Sequence, residues 1–285
     1  MAMACLNLPA LSPRLASGGG AAPGRCSVPA SSVRLPRRCS WRVAAVAEDP
    51  PQAVQEQRRT EGSGEAGAEG AADASSKLVL VVGGTGGVGQ LVVASLLSRN
   101  IKTRLLLRDP AKAVTLFGEQ DESVFQTYKA DTRNAADFDP QMFEGVTHVI
   151  CTTGTTAFPS KRWDGDNTPE RIDWDGIRNL VSAMPRTIKR LVLVSSIGVT
   201  KYNELPWSIM NLFGVLKYKK MGEEFVQNSG IPFTIIRLVV AEACIQALDI
   251  EFTEGQIYEI SSVKGEGPGS DPEKWKELFR SAQSN

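Results

Sequence analysis

In KLVLVVGGTGGVGQLVVASLL, residues 77–97, three glycines stand between an apolar β-type run and an apolar helical one: Gly83, Gly86 and Gly89. Gly83 allows a tight turn, Gly86 lets backbone approach a ligand closely, and Gly89 lets a helix pack on the strand. The helix opening there turns free N–H groups and its positive dipole end toward whatever sits in the turn. Such a cradle suits a pyrophosphate. Glycine triplets alone mean little, but one placed between strand and helix in a first βαβ unit reads as a dinucleotide site. Thr85, Gly87 and Val88 complete the loop as candidate cofactor contacts.

Which dinucleotide fits depends on the end of the next strand, where an NAD site wants a carboxylate for the ribose 2′-hydroxyl. TRLLLRDP supplies Arg108 there, with Asp109 one step on. A guanidinium at that position pairs with a 2′-phosphate, which favours NADP(H). The alternative leaves Arg108 as a surface cation and makes Asp109 the ribose ligand. Asp131, in YKADTRN, is a candidate acceptor for the adenine amino group. Thr152, Thr153 and Gly154 are small enough for backbone to lie along the adenosine ribose. Each of these can also be an ordinary turn residue.

The elements that must hold these residues follow from periodicity. Strands are expected at Leu78–Val82, Thr103–Leu107, Val124–Lys129, His148–Thr152, Arg190–Ser195, Phe233–Arg237 and Gln256–Ile260. Helical patterns such as VGQLVVASLLSRN and DWDGIRNLVSAM lie between them, and DPEKWKELFRSA closes the chain as a short helix. Alternation of this kind predicts an α/β fold, a doubly wound parallel sheet covered on both faces, in a single domain.

Composition divides the chain. Residues 1–47 hold six Arg and no acid among many Ser, Ala, Gly and Pro, the pattern of an organellar transit peptide and, lacking an amphipathic Arg-rich helix, of a chloroplast one. A disordered basic tail is the alternative. Residues 48–76 carry seven acids and two Arg and read as a disordered acidic linker. Of 32 basic and 32 acidic residues, 24 and 25 then fall in the core, 77–285. A near-neutral core gives no electrostatic footprint for nucleic acid. No stretch reaches the length of a transmembrane helix, although peripheral membrane contact stays open. Cys151 and Cys244 belong to no metal or redox spacing and read as buried thiols; the single histidine, His148, sits at a strand start, away from the chemistry. No metal site is expected.

The glycine pattern, RDP, DWDGIRNLV, KRLVLVSSIGV and GIPFTIIR together resemble the atypical short-chain dehydrogenase/reductases, in their NmrA-like, NAD(P)H-binding subset from plant plastids. The resemblance covers nearly all of residues 77–262. It implies a seven-stranded Rossmann domain with NADP(H) at the carboxyl edge of the sheet. It does not imply one activity, since the group includes reductases, redox sensors and assembly factors.

Standard members use a Tyr-x-x-x-Lys acid/base pair and a Ser after the fifth strand. None of Tyr128, Tyr202, Tyr218 or Tyr258 has a Lys four residues later. Ser195 and Ser196 occupy the usual serine place, with Ser196 the catalytic candidate. The resemblance places Lys219, in VLKYKKMGEEF, at the lysine that contacts cofactor ribose and can act in catalysis. Lys217 and Lys220 are close enough to compete for the role, and Lys219 also stands four before Glu223, the spacing of a helix-surface ion pair. The substrate side is left to GTTAFPSKRWDGDNTPE and to TKYNELPWSIMNLFGV, whose Trp207, Ile209, Met210, Leu212 and Phe213 can line a pocket, dock a partner or membrane, or pack on the core.

Two functions follow. One is a chloroplast NADP(H)-dependent reductase of a small carbonyl or alkene; the other is a non-enzymatic NADP(H)-binding scaffold or redox-responsive assembly factor. Relatives of this pattern insert a few tens of residues after TIIR, whereas here Arg237 abuts Leu238. The expectation is a lost substrate-side segment after Arg237. The alternative runs the strand on to Val240, with a bend near Ala241.

Overall fold

Among the described residues, eight strands form one sheet: β1 (Cys39–Ala45), β2 (Leu78–Val82), β3 (Lys102–Leu107), β4 (Phe125–Lys129), β5 (His148–Cys151), β6 (Arg190–Ser195), β7 (Phe233–Arg237) and β8 (Gln256–Lys264). Their order is β1-β8-β7-β6-β5-β2-β3-β4, and β2 to β8 run parallel. The computed structural model describes residues 39–45, 77–237, 240–264 and 267–283. The chain winds outward from β2 through β3 and β4, then returns to the other side at β5. The reversal leaves a crevice at the carboxyl ends of β2 and β5, where ligands of such sheets bind. The Rossmann expectation is met.

The apolar runs explain why both faces are covered. In β2, Val79 and Val81 face one core with α1 (Gly87–Ser98), α6 (Ala241–Asp249) and α7 (Pro272–Gln283). Leu80 and Val82 face the other, with α3 (Gly176–Ala183) and α5 (Val215–Gln227). All four are essentially inaccessible to solvent. Each fully buried aliphatic side chain contributes about 1.5–3 kcal/mol, so alternation along one strand holds two layers at once. Between β3 and β4 lies α2 (Ala111–Phe117), and a short helix, α4 (Trp207–Met210), precedes α5.

Cys39–Ala45 lies inside the acid-free leader read from composition, and its backbone pairs antiparallel with β8, Cys39 opposite Lys264 and Ala45 opposite Tyr258. Residues 1–38 and the acidic linker at 48–76 lie outside the described residues. Residues 238 and 239, where the missing segment was expected, lie outside them too. Strand β7 is described to Arg237 and α6 from Ala241, with Val240 in extended backbone before it, so both readings of this junction turn on residues outside the described ones.

One charged pair fixes α5 against the sheet. Arg237, at the end of β7, donates Nη2 to Glu223 Oε2 at 2.6 Å and Nε to Oε1 at 3.1 Å, and both side chains are fully buried. Taking one partner away would strand the other charge in the interior, at a cost of about 3–5 kcal/mol. Glu223 is thereby committed to Arg237. It is not the surface partner of Lys219 that its helical spacing offered.

Candidate functional site

At the turn after β2, Gly83 adopts φ +84°, and a Cβ there would meet Thr152 Oγ1 and the Thr153 nitrogen at 2.9 Å. Gly89 is tighter still: a Cβ would lie 2.2 Å from the Gly83 carbonyl oxygen. Helix α1 thus lies almost in contact with the strand end. Gly86 caps it with no side-chain hydrogen bond and no acid follows in its first turn. Gly87 faces open space, with nothing within 4 Å of a built Cβ. An uncapped helix start over an open glycine turn fits a pyrophosphate, and a larger residue at Gly89 or Gly83 would force α1 off the end of β2 or collide with Thr152 and Thr153.

At the carboxyl ends of the adjacent strands β3 and β4, Arg108, Asp131 and Arg133 stand near one another. Arg108 Nη1 donates to Asn167 Oδ1 at 2.6 Å. Asp109 instead accepts from the Ala111 N–H at 3.2 Å, at the entry to α2. Asp131 is held by Arg133, whose Nε lies 3.0 and 3.1 Å from the two carboxylate oxygens and whose Nη2 lies 2.6 Å from Oδ2. Those bonds keep the Asp131 carboxyl below the usual carboxylate range, with a smaller contribution from Arg108. Asp131 is therefore an anion occupied by a guanidinium, and adenine would share it with Arg133. Thr152 Oγ1 donates to the Val82 carbonyl at 3.1 Å, which ties the ends of β5 and β2 together.

The other end of the crevice holds a buried ion pair. Lys219 Nζ lies 2.6 Å from Asp173 Oδ1, with side chains only 13% and 1% exposed. Three local features bring them together. Asp173 sits in a π-helical turn, Glu170–Asp175, that runs into α3. Gly222, one turn beyond Lys219, lets α5 approach: a Cβ there would stand 2.7 Å from the Asp173 carbonyl oxygen. Gly154 lets Lys219 lie across the end of β5, since a Cβ would meet Nζ at 2.7 Å. The other Asp173 oxygen accepts from the hydroxyl of Thr155 and, at 3.2 Å, from its N–H. Thr153, Asp173, Ser195, Lys219 and Gly222 line a small cavity of about 10 Å³. Within it the Ser195 Oγ is buried without a hydrogen-bond partner.

The neighbouring lysines point elsewhere. Lys217 stands 5.7 Å from the Tyr218 ring, and Lys220 lies 3.8 Å from Glu224. Of the two serines, Ser195 lines the cavity, whereas Ser196 follows the strand and is half-buried. Gly83 to Gly89, Thr152, Thr153, Gly154 and Lys219 all gather along one crevice. Asp173 was not singled out as a site residue, although its sequence context carried a signal. It falls on the stripe of Ile177, Leu180 and Val181, a carboxylate at helical spacing on an apolar face. Arg133 and Asn167 carried no such signal.

His148 lies at the opposite edge, its Nδ1 2.8 Å from the Thr147 hydroxyl, and burial lowers its pKa to about 4. Burial pushes the Cys244 thiol up to about 12 and raises that of Cys151 as well. Both cysteines are free and buried, in keeping with inert thiols. No helix among the described residues is long and apolar enough to cross a membrane.

Comparison with known proteins adds the context. An NAD(P)H-binding family model matches residues 83–243, more than half of the chain. An uncharacterised chloroplastic protein of Arabidopsis thaliana is 29% identical over 248 residues, covering 70% of this chain and 74% of its own. Sanguinarine reductase of Eschscholzia californica is 27% identical, covering 73% of this chain and 97% of its own. The chloroplastic Protein TIC 62 of Pisum sativum is 34% identical over 56% of this chain, a match spanning only 32% of that longer protein. Among solved structures, the oxidoreductase ylbE of Lactococcus lactis superposes with a TM-score of 0.57 at 15% identity, over 73% of this chain and 97% of its own. At that identity the likeness speaks for the fold alone.

Proposed function

Because this chain belongs to the NAD(P)H-binding family of atypical short-chain dehydrogenase/reductase-like proteins, we propose that it is a plastid reductase that binds NADP(H) and acts on a small carbonyl or conjugated alkene. The observation that carries the reading is the buried Lys219–Asp173 pair beside Ser195, at the carboxyl edge of a sheet whose glycine turn fits a dinucleotide. The cofactor, when bound, supplies the hydride. Gly83 to Gly89 would hold its pyrophosphate, Thr152 to Gly154 would lie along its adenosine ribose, and Arg108 would meet its 2′-phosphate.

What the chain itself contributes at the reacting end is a fixed cation. The ammonium of Lys219 has three N–H donors, and Asp173 accepts from one of them. The rest can donate to a ribose hydroxyl or a substrate oxygen. Asp173 is in turn held by Thr155, so the ammonium does not wander. The Ser195 hydroxyl is a second donor without a protein acceptor, suited to an oxygen that gains negative charge. Lys219 and Ser195 thus take the place of the absent Tyr-x-x-x-Lys set.

A second reading rests on a different observation. Leu205, Ile209, Leu212 and Phe213 around α4, with Phe158 beside them, leave large apolar surface in solvent. Phe158 and Trp163 both stack edge-on against Phe213, at 6.4 and 5.7 Å between ring centres. Such a surface suits a cofactor-binding scaffold with a protein or membrane partner. NADPH consumption by the full chain across a panel of carbonyls and conjugated alkenes, beside NADPH titration, separates the two. Turnover lost in Lys219→Met supports the reductase. Binding without turnover on any member of the panel favours the scaffold.

A further inference from the structure

Two guanidinium groups at the adenosine end reach for the same loop. Arg108 Nη1 donates to the side-chain oxygen of Asn167 at 2.6 Å. Arg133 spends Nε and Nη2 on Asp131 and turns Nη1 to the Gly165 carbonyl. Gly165 and Asp166 adopt φ +73° and +66°, so the chain makes a left-handed tip there that aims its oxygens back at the strand ends. Asp166, 3.3 Å from Arg171, adds its negative charge to the surroundings of Arg133 without a hydrogen bond to it. Both arginine arms therefore end on uncharged oxygens, an amide and a peptide carbonyl. Arg108 acts on the Asp131 carboxylate through its charge.

The Nη1 arm of each arginine, Arg108 on an amide oxygen and Arg133 on a peptide carbonyl, makes a weak bond beside a strong alternative, while Nε and Nη2 of Arg133 stay on Asp131. Charge-assisted bonds to phosphate are about twice as strong as neutral ones, and a guanidinium meets phosphate with two parallel donors. We propose that Arg133 is a second 2′-phosphate ligand beside Arg108, and that Asn167 and Gly165 compete with that phosphate for the same N–H groups. The proposal rests on the NADP(H) reading above and adds to it. Specificity is then set by two strand ends and one loop: NADP(H) displaces the loop tip, whereas NAD(H), with no 2′-phosphate, leaves it on the arginines. Part of the affinity for NADP(H) is spent on that displacement, so the loop tunes the site as well as lining it.

Asn167 gives the proposal opposite-signed tests at one position. Asn167→Ala removes the competitor and raises NADPH affinity about fivefold; Asn167→Asp installs a charged competitor on Arg108 and lowers it about tenfold or more, with NADH affinity within about twofold of wild type in both. Arg133→Ala lowers NADPH affinity about tenfold and NADH affinity much less. The measurement is calorimetric titration of NADPH and NADH into the full chain, with circular dichroism to verify folding. If wild type binds NADPH yet both Asn167 variants move its affinity the same way, or neither does, the competition is wrong. An equal loss of both nucleotides in Arg133→Ala removes that residue as a phosphate ligand. Wild type that binds neither nucleotide overturns the NADP(H) reading itself.

Discussion

Asp173 and Lys219, 46 residues apart in sequence, meet at 2.6 Å across the π-helical turn before α3 and the inner face of α5. Four residues after Lys219, Glu223 turns from the same helix to Arg237 on the sheet. One helix thus carries a structural pair and the candidate-site pair side by side, each with its own partner. In Asp173→Asn and Lys219→Met the surviving partner is left buried, so each single variant loses about 3 kcal/mol in urea denaturation. The double variant loses less than the sum, with a coupling of about 2 kcal/mol. Strict additivity would mean the pair contributes nothing as a pair.

Gly222 and Gly89 are predicted to be irreplaceable for reasons of backbone contact. A Cβ would lie 2.7 Å from the Asp173 carbonyl at Gly222 and 2.2 Å from the Gly83 carbonyl at Gly89. Backbone oxygens cannot swing aside, so each change to Ala costs about 1–3 kcal/mol, and Gly89→Ala also loses dinucleotide binding. Gly87→Ala is the control. A Cβ there would meet nothing beyond the helix's own backbone within 4 Å, and within α1 it gains up to about 1 kcal/mol of helix propensity.

Ser195→Ala separates stability from function. Its Oγ is buried without a partner, so removing it leaves the melting temperature unchanged or raises stability by about 1 kcal/mol. Turnover of any substrate found should fall at least about tenfold, with NADPH affinity kept. A destabilised, fully active variant would show that the hydroxyl serves only the fold.

His148 supplies a pH signature. Burial, helped by the Lys77 charge, lowers its pKa from 6.5 to about 4. The unfolded chain therefore binds the extra proton first as pH falls. The contribution is fully present above pH 6.5 and is lost progressively down to about pH 4, up to about 3 kcal/mol. In His148→Gln the slope of unfolding free energy against pH across that window should flatten. An unchanged slope would assign it to other groups.

The first βαβ unit was legible because the periodicity changes from strand to helix at the glycines, and each glycine answers a contact that leaves no room for Cβ. Strands β2 and β6 and the expected β7 fall where their apolar runs place them. Lys219 was reachable through resemblance, but the choice among Lys217, Lys219 and Lys220 required the helix to be seen in place. Asp173 was harder, since a carboxylate on an apolar stripe reveals nothing of a partner in another helix. The Asn167 contact was not legible at all: it depends on a left-handed loop tip reaching a strand end 59 residues away. Strand β1 was hidden by composition, because the Arg- and Ser-rich leader pattern outweighs a seven-residue run such as CSWRVAA.

The crevice is proposed to bind NADP(H) through the glycine turn and to read the 2′-phosphate through Arg108. Titration of NADPH and NADH into wild type and Arg108→Ala tests it most directly. The expected result is NADPH at least about tenfold tighter than NADH in wild type, a preference that collapses in Arg108→Ala while NADH affinity is kept. Equal affinity for both nucleotides in wild type, or an Arg108→Ala variant that retains the preference, would contradict the account.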